Sequence, residues 1–245
     1  DSFHRTVLLL QLRWFWIRRG LWQPSHIVRI HTERARAFEA VITPDEIFPE
    51  LQQEIGGPAH RVGPIVDVTG STDAEKAERR LKVLSRFGRN GGRLMVSLLG
   101  SGVVSDRAAQ LQTISAIGER VPDCLHLVVV WPGATVAAGL ASWRNTKIVR
   151  TSRAILLAEI ADFAISAVGY NSFHELLYNR VPAILIPQFS EELDDQASRA
   201  VAASERTAFL EGDRTTELAK NLGSFDLPET GTAAAAHLID ERSTA

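Results

Sequence analysis

The chain has 245 residues, 45% hydrophobic and 23% charged, and its 27 basic and 29 acidic side chains leave a net charge of −2. Such a chain can bury a sizeable core without staples, and its balance excludes a strongly basic surface built for nucleic acid. The single cysteine excludes an internal disulfide and fits a reducing, cytoplasmic setting, and no run reaches the ~18–20 apolar residues needed to span a bilayer.

The first residues lack an initiating Met and the order of a signal peptide, and an apolar run follows at once. This reads as a fragment, a processed product or a trimmed chain. Residues 7–12 (VLLLQL) have strand length. In the polar, aromatic stretch 13–38, Trp14, Phe15, Trp16 and Trp22 alternate with Arg13, Arg18 and Arg19. That cluster suits a lipid-linked molecule or a peripheral place at a membrane surface. The preferred reading is an interface to a missing half of an N-terminal domain. Residues 40–43 (AVIT) predict a second strand stopped by Pro44. Residues 45–54 predict a short helix or turn limited by Pro49, and residues 61–66 (RVGPIV) an extended segment. Charge is dense over 73–86, with Leu81, Val83, Leu84 and Phe87 interspersed, which predicts a solvated helix with one weak apolar side. Gly88-Arg89-Asn90-Gly91-Gly92 breaks it and marks a boundary near residue 90.

Beyond this boundary the pattern is regular. Strands are expected at 94–99 (LMVSLL), 125–131 (LHLVVVW), 146–150 (TKIVR), 163–168 (FAISAV), 183–187 (AILIP) and 207–210. Helices are expected at 105–121, with Leu111, Ile114, Ile117 and Val121 on one side, and at 153–161, 172–179, 194–204 and 215–222. Alternation of this kind means βαβ units and a parallel sheet. The strand runs are apolar throughout, as in strands covered on both faces. The fold class is therefore α/β, a Rossmann-like parallel sheet with helices on both faces and right-handed crossovers. Ligands of such sheets sit beyond the carboxyl ends of the strands, which selects the loops at 100–105, 132–139, 151–153, 169–172 and 188–196.

Three of these loops carry chemistry. Gly100-Ser101-Gly102 lies between a strand and a helix, where glycines let amides approach an anion. The third glycine of a dinucleotide fingerprint is missing, so a plain tight turn stands beside that reading. In the second loop, Gly169 permits close backbone approach, Ser172 offers a hydroxyl, and Glu175 could accept from two vicinal hydroxyls. Ser172 and Glu175 also have the spacing of a capping box, which local sequence favours. In the third loop, Asp195-Gln196 could bond several sugar hydroxyls, or could be an acidic first turn matched to a helix dipole. Cys124 has no nearby partner and reads as packing. His174 reads as packing or solvent-facing.

The stretch 166–200, SAVGYNSFHELLYNRVPAILIPQFSEELDDQASRA, resembles the donor-binding segment of GT-B glycosyltransferases, in particular the MurG-like enzymes of glycosyltransferase family 28. The shared features are a small-residue loop, a Ser or Thr, a Glu on the next helix, Arg180-Val181-Pro182 with Pro187 beyond it, and the Asp195-Gln196 pair. The order of strands and helices over about 90–225 agrees. Joint spacing carries the resemblance where the single loops do not, and it turns the second and third loops towards binding.

The resemblance implies three parts. Residues 1–66 would be the end of an acceptor-side domain and its linker, incomplete; 67–90 a charged helix and linker; 91–245 the donor-binding domain. It implies that Glu175 holds ribose hydroxyls, and that Ser172, with the amides of Asn171 and Ser172, faces a diphosphate at the Gly169 loop. Gly100 and Ser101 would flank that diphosphate, Asp195 and Gln196 would contact the sugar, and the base would lie near Arg150 and Arg153. The implied reaction moves a hexose or amino-hexose from a UDP-sugar donor to an acceptor hydroxyl, inverting by direct displacement, with no cofactor and no essential metal. No catalytic base is identified; it is expected in the missing N-terminal part or a partner chain, so the chain alone would bind donor without necessarily turning over. The acceptor is open, a lipid-linked molecule or a natural product. Asp67 departs from the pattern, since some relatives place an Arg just beyond the linker. The rival readings are a non-catalytic nucleotide-sugar-binding subunit and, behind it, a sugar-nucleotide epimerase. A dehydrogenase fits less well.

Overall fold

The structure, a computed structural model, describes residues 7–9, 40–47, 59–98, 107–134, 145–187, 196–206, 231–234 and 237. These residues hold two parallel sheets. The smaller runs β1 (Val7–Leu9), β2 (Ala40–Pro44) and β3 (Ala59–Val62) in that spatial order. The larger contains β4 (Leu94–Leu98), β5 (Leu125–Val130), β6 (Thr146–Arg150), β7 (Phe163–Ser166) and β8 (Ala183–Leu185). Its order is β6-β5-β4-β7-β8, parallel at every pairing. The expected segments at 207–210 and 215–222, the aromatic-basic cluster, and Gly100, Ser101 and Asp195 lie outside the described residues.

The continuous apolar runs have the expected cause, because β4, β5 and β7 are buried along their whole length. On one face Leu94, Val96, Leu125, Leu127 and Ala164 pack with Leu84, Ile155, Ala158 and Leu176. On the other, Met95, Val128 and Ile165 pack with Ile114, flanked by Leu111 and Ile117. The first set brings α1 (Asp73–Arg86), α3 (Ile155–Ala158) and α4 (Tyr170–Tyr178) onto one side, and the second brings α2 (Arg107–Arg120) onto the other. Helices therefore cover both faces, and each fully buried Leu or Ile contributes about 1.5–3 kcal/mol. The charged helix α1 is anchored to this core through Leu84, which is 2% exposed.

The ends of α1 are written in its sequence. Thr72 accepts from the Glu75 N–H while the Glu75 carboxylate accepts from the Thr72 N–H, a complete capping box. At the other end Gly88 adopts φ 72°, and the N–H groups of Gly88 and Arg89 donate to Ser85 and Leu84 carbonyls, a Schellman closure. The expected helix at 153–161 is a single turn, with the Arg153 N–H held by Thr151 Oγ1 before it and the Ala161 N–H turned back to Ala158 after it. Cys124 is buried and its thiol is pushed up to about 11 by that burial, in keeping with a packing role.

The segment between the sheets is strapped to the larger one. Asn179 accepts from the Thr69 N–H at 2.9 Å and donates to the Asp67 carbonyl at 2.8 Å. The fully buried Glu159 carboxylate accepts from Thr69, Ser71 and Arg79. Gly231 and Thr232 close over the same segment by bonds to Pro64 and Val66. Among the described residues no helix is long and apolar enough to cross a membrane.

Candidate functional site

In the larger sheet the chain starts at β4, moves outward through β5 to β6, then returns past β4 to lay down β7 and β8. The strand order reverses between β4 and β7. The helices that follow β4 and β7 pack on opposite faces of the sheet, and in sheets of this kind the ligand crevice lies at the carboxyl ends of two such strands. The 167–169 loop is on one side of that crevice.

Gly169 is the N-cap of α4, in extended conformation, with no side-chain cap bond. The first turn closes when the Phe173 N–H donates to the Gly169 carbonyl at 3.0 Å. The amides of Tyr170, Asn171 and Ser172 therefore precede the helical ladder, and the helix dipole adds positive potential at this end. The capping box favoured from local sequence does not form. The helix begins two residues before Ser172, which places Ser172 inside the first turn. Asn171 is exposed there and Ser172 half-buried. A Cβ on Gly169 would meet only Gln196 Nε2, at 3.9 Å, and its φ is −64°. Nothing described in the chain itself requires glycine at this position.

Glu175 lies one turn further on. It is half-buried, and its carboxylate makes no hydrogen bond or ion pair among the described residues. Burial, and then the charge of Asp67, push its pKa from 4.5 up to about 7. Asp67 reaches it from the strapped segment, because the same Asn179 side chain bonds the Asp67 and Glu175 carbonyls. Arg153, just beyond β6, stands 3.7 Å from Asp67, both side chains about half exposed. The crevice thus presents helix-terminal amides, an unpaired carboxylate with two acceptor oxygens, and an arginine at the rim.

His174 is fully buried and serves packing. Its Nδ1–H donates to the Tyr170 carbonyl at 2.7 Å, and Nε2 accepts from the Ile47 N–H at 3.2 Å. The bond to Nε2 requires the neutral ring, and desolvation holds its pKa down to about 3. Its 3.6 Å approach to Glu46 is therefore not an ion pair. Gln196 opens α5 (Gln196–Arg206) and is 3% exposed. Its side-chain carbonyl accepts from the Val168 N–H at 3.0 Å, so it holds the 167–169 loop from behind.

Of the residues expected at the site, Gly169, Asn171, Ser172 and Glu175 lie together at the opening of α4, whereas Gln196, expected to contact a sugar, is buried behind that loop with its side-chain carbonyl taken by the Val168 N–H. Sequence reading did not place Asp67 beside Glu175, nor Glu46 and Arg199 behind the loop. Asp67 and Glu175, and Glu46 and Arg199, are more than a hundred positions apart, Arg199 and Val168 about thirty, and no local spacing signals these contacts. Among the described residues there is no group of three or more His, Cys, Asp or Glu suited to a metal ion.

No protein-family model matches the chain, and no curated protein matches it. Solved structures match at low identity. UGT2 of Phytolacca americana, complexed with UDP-2fluoro-glucose and pterostilbene, has 18% identity covering 89% of this chain and 51% of its own, at a TM-score of 0.44. The calicheamicin glycosyltransferase CalG4 has 14% identity over 97% and 67%, at 0.49. The glycosyltransferase SnogD from Streptomyces nogalater has 15% identity over 90% and 57%, at 0.42. The chain spans between half and two thirds of the length of these structures.

Proposed function

We propose that the chain carries the donor site of a glycosyltransferase that moves a hexose or amino-hexose from a UDP-type nucleotide sugar to an acceptor hydroxyl, with inversion. The observation that carries this reading is the start of α4 at the strand-order reversal. Three amides without intrahelical partners and an unpaired, half-buried carboxylate one turn on suit a diphosphate and an adjacent ribose. The sequence pattern over 166–200, with its likeness to MurG-like enzymes, supports the same assignment.

In this reading Glu175 accepts from the two ribose hydroxyls, which gives its half-buried charge the partners it lacks among the described residues. The Asn171 and Ser172 amides and the Ser172 hydroxyl take the diphosphate. As the bond to the anomeric carbon breaks, negative charge grows on the departing phosphate, and preorganised amides stabilise it without an essential metal. Gly100 and Ser101 flank the diphosphate, Asp195 orients the sugar, and the base lies by Arg150 and Arg153, while Gln196 holds the loop from behind. The acceptor hydroxyl needs a base, and the locked neutral His174 does not serve. That base comes from elsewhere in the protein or from a partner chain.

The test is calorimetric titration of the full chain with UDP, GDP and dTDP, beside Glu175→Ala. Micromolar UDP binding that weakens at least about tenfold in the variant is the expected result, a loss of about 1.4 kcal/mol. A folded chain that binds none of the three, or a variant that binds as tightly as the parent, overturns the assignment.

A further inference from the structure

Val168, immediately before the Gly169 cap, is held at both of its backbone polar groups from α5. Its N–H donates to Gln196 Oε1 at 3.0 Å, and its carbonyl accepts from Arg199 Nη1 at 2.5 Å. Arg199 is 1% exposed, and the rest of its fork goes to Glu46, with Nη2 at 2.5 Å from Oε1 and Nε at 3.2 Å from Oε2. Glu46 belongs to the other sheet, two residues past the end of β2. Its neighbours dock alongside. The Tyr170 hydroxyl donates to the Asp45 carbonyl at 2.7 Å, and Ile47 packs with Val168, Phe173 and Leu177.

A buried ion pair is a poor source of stability, because desolvating both charges costs about as much as their attraction returns. What a forked guanidinium–carboxylate pair supplies is direction. Here one nitrogen of the same rigid plane is left for the Val168 carbonyl. The orientation of that carbonyl, and with it the peptide entering Gly169, follows from where Glu46 holds the plane.

We propose that Arg199 is a positioning residue for the nucleotide-binding loop and that Glu46 sets it. Docking of the segment after β2 thereby fixes the first-turn amides of α4 that receive the diphosphate. The inference rests on the donor-site reading above. It links the smaller sheet to the nucleotide site through one buried side chain, and makes donor affinity depend on how that sheet is seated.

The experiment uses the full chain with Glu46→Leu/Arg199→Met, an apolar pair of similar volume, and Arg199→Lys, which keeps the charge but not the fork. UDP affinity, thermal midpoint and hydrogen exchange of the 166–173 backbone are measured for each. The expected result for the apolar pair is a midpoint at or above that of the parent, with faster exchange at 166–173 and UDP binding about tenfold weaker. Arg199→Lys is expected to weaken UDP binding similarly, and it carries the test if the apolar pair fails to fold. Parental exchange and parental affinity in a folded variant overturn the proposal, since an ion pair that is merely structural would be replaced without effect on the loop. If the parent binds no UDP, the donor-site reading fails, and the exchange measurement still decides whether the pair holds the loop.

Discussion

Glu175→Gln separates a residue kept for binding from one kept for stability. Burial and the Asp67 charge raise the folded-state pKa of Glu175 from 4.5 to about 7. Between those values the folded chain keeps a proton that the unfolded chain releases. Stability therefore falls as pH rises from about 4.5 to about 7, and the full cost is present above pH 7. At about 1.4 kcal/mol per pH unit the upper figure is about 3 kcal/mol, and screening of this half-buried group leaves roughly 1–2 kcal/mol. Glutamine keeps the shape and removes the charge. The thermal midpoint of Glu175→Gln should match the parent near pH 4.5 and exceed it by roughly 3–6 °C at pH 8. UDP binding should move the other way, weakened in the variant, and in the parent it should tighten from pH 6 to pH 8 with release of a proton. Thermal scans across pH and calorimetry in buffers of different ionisation enthalpy read both quantities. A variant destabilised equally at both pH values would refute the unpaired, half-buried charge. Unchanged UDP affinity would refute its use.

Arg180 closes α4 with φ 54°, a left-handed conformation costly for a side chain, and its N–H and that of Val181 satisfy the Leu177 and Leu176 carbonyls. Arg180→Gly should therefore stabilise the chain by roughly 1 kcal/mol in denaturant titration, and a loss would show that its side chain makes up the strain. At Gly231 an added Cβ would lie 1.9 Å from the Gly63 carbonyl oxygen, backbone against backbone. Gly231→Ala should release the 231–232 segment, read as fast hydrogen exchange there while β4 and β5 keep their protection; retained protection at 231–232 would contradict the close approach. His126 is buried against Ser97 and Thr146, and desolvation lowers its pKa to about 4. Stability it contributes is present above pH 6.5 and lost as pH falls towards 4, roughly 2 kcal/mol between pH 7 and pH 5. His126→Asn should lower overall stability yet flatten this acid dependence by about one proton, and an unchanged slope would count against a buried neutral ring.

Two stretches with the same Ser/Thr-x-x-Glu spacing show where local reading succeeds and fails. At Thr72 and Glu75 the pattern forms a reciprocal cap, because extended chain precedes Thr72 and the helix has no earlier start. At Ser172 and Glu175 it does not, because α4 begins at Tyr170. Tyr170 is drawn inward by the Asp45 carbonyl and by packing with His174. Ser172 is thereby moved into the first turn and Glu175 is left without a cap to make. Similarly, the dense charge of α1 suggested a solvated linker helix, and Leu84, with Val83 and Phe87 beside it and Arg79 and Arg80 bonded to Glu159 and Asp162, binds it to the sheet, while Leu81 stays exposed.

The sequence by itself determined the parallel α/β class, the runs that become β4, β5, β7 and β8, and the helix-opening loop with Gly169, Ser172 and Glu175. Those features rest on periodicity and on glycine and proline placement, which act over a few residues. Only the tertiary structure decided the strand order that puts the β7 loop at the reversal, and the burial of Glu175 and the approach of Asp67 that together raise its pKa. The same holds for the placement of Gln196 and Arg199 behind Val168 and the pairing of Arg199 with Glu46. Each of these joins segments distant in the chain, through burial and charge, and such energies exist only once the sheets have packed.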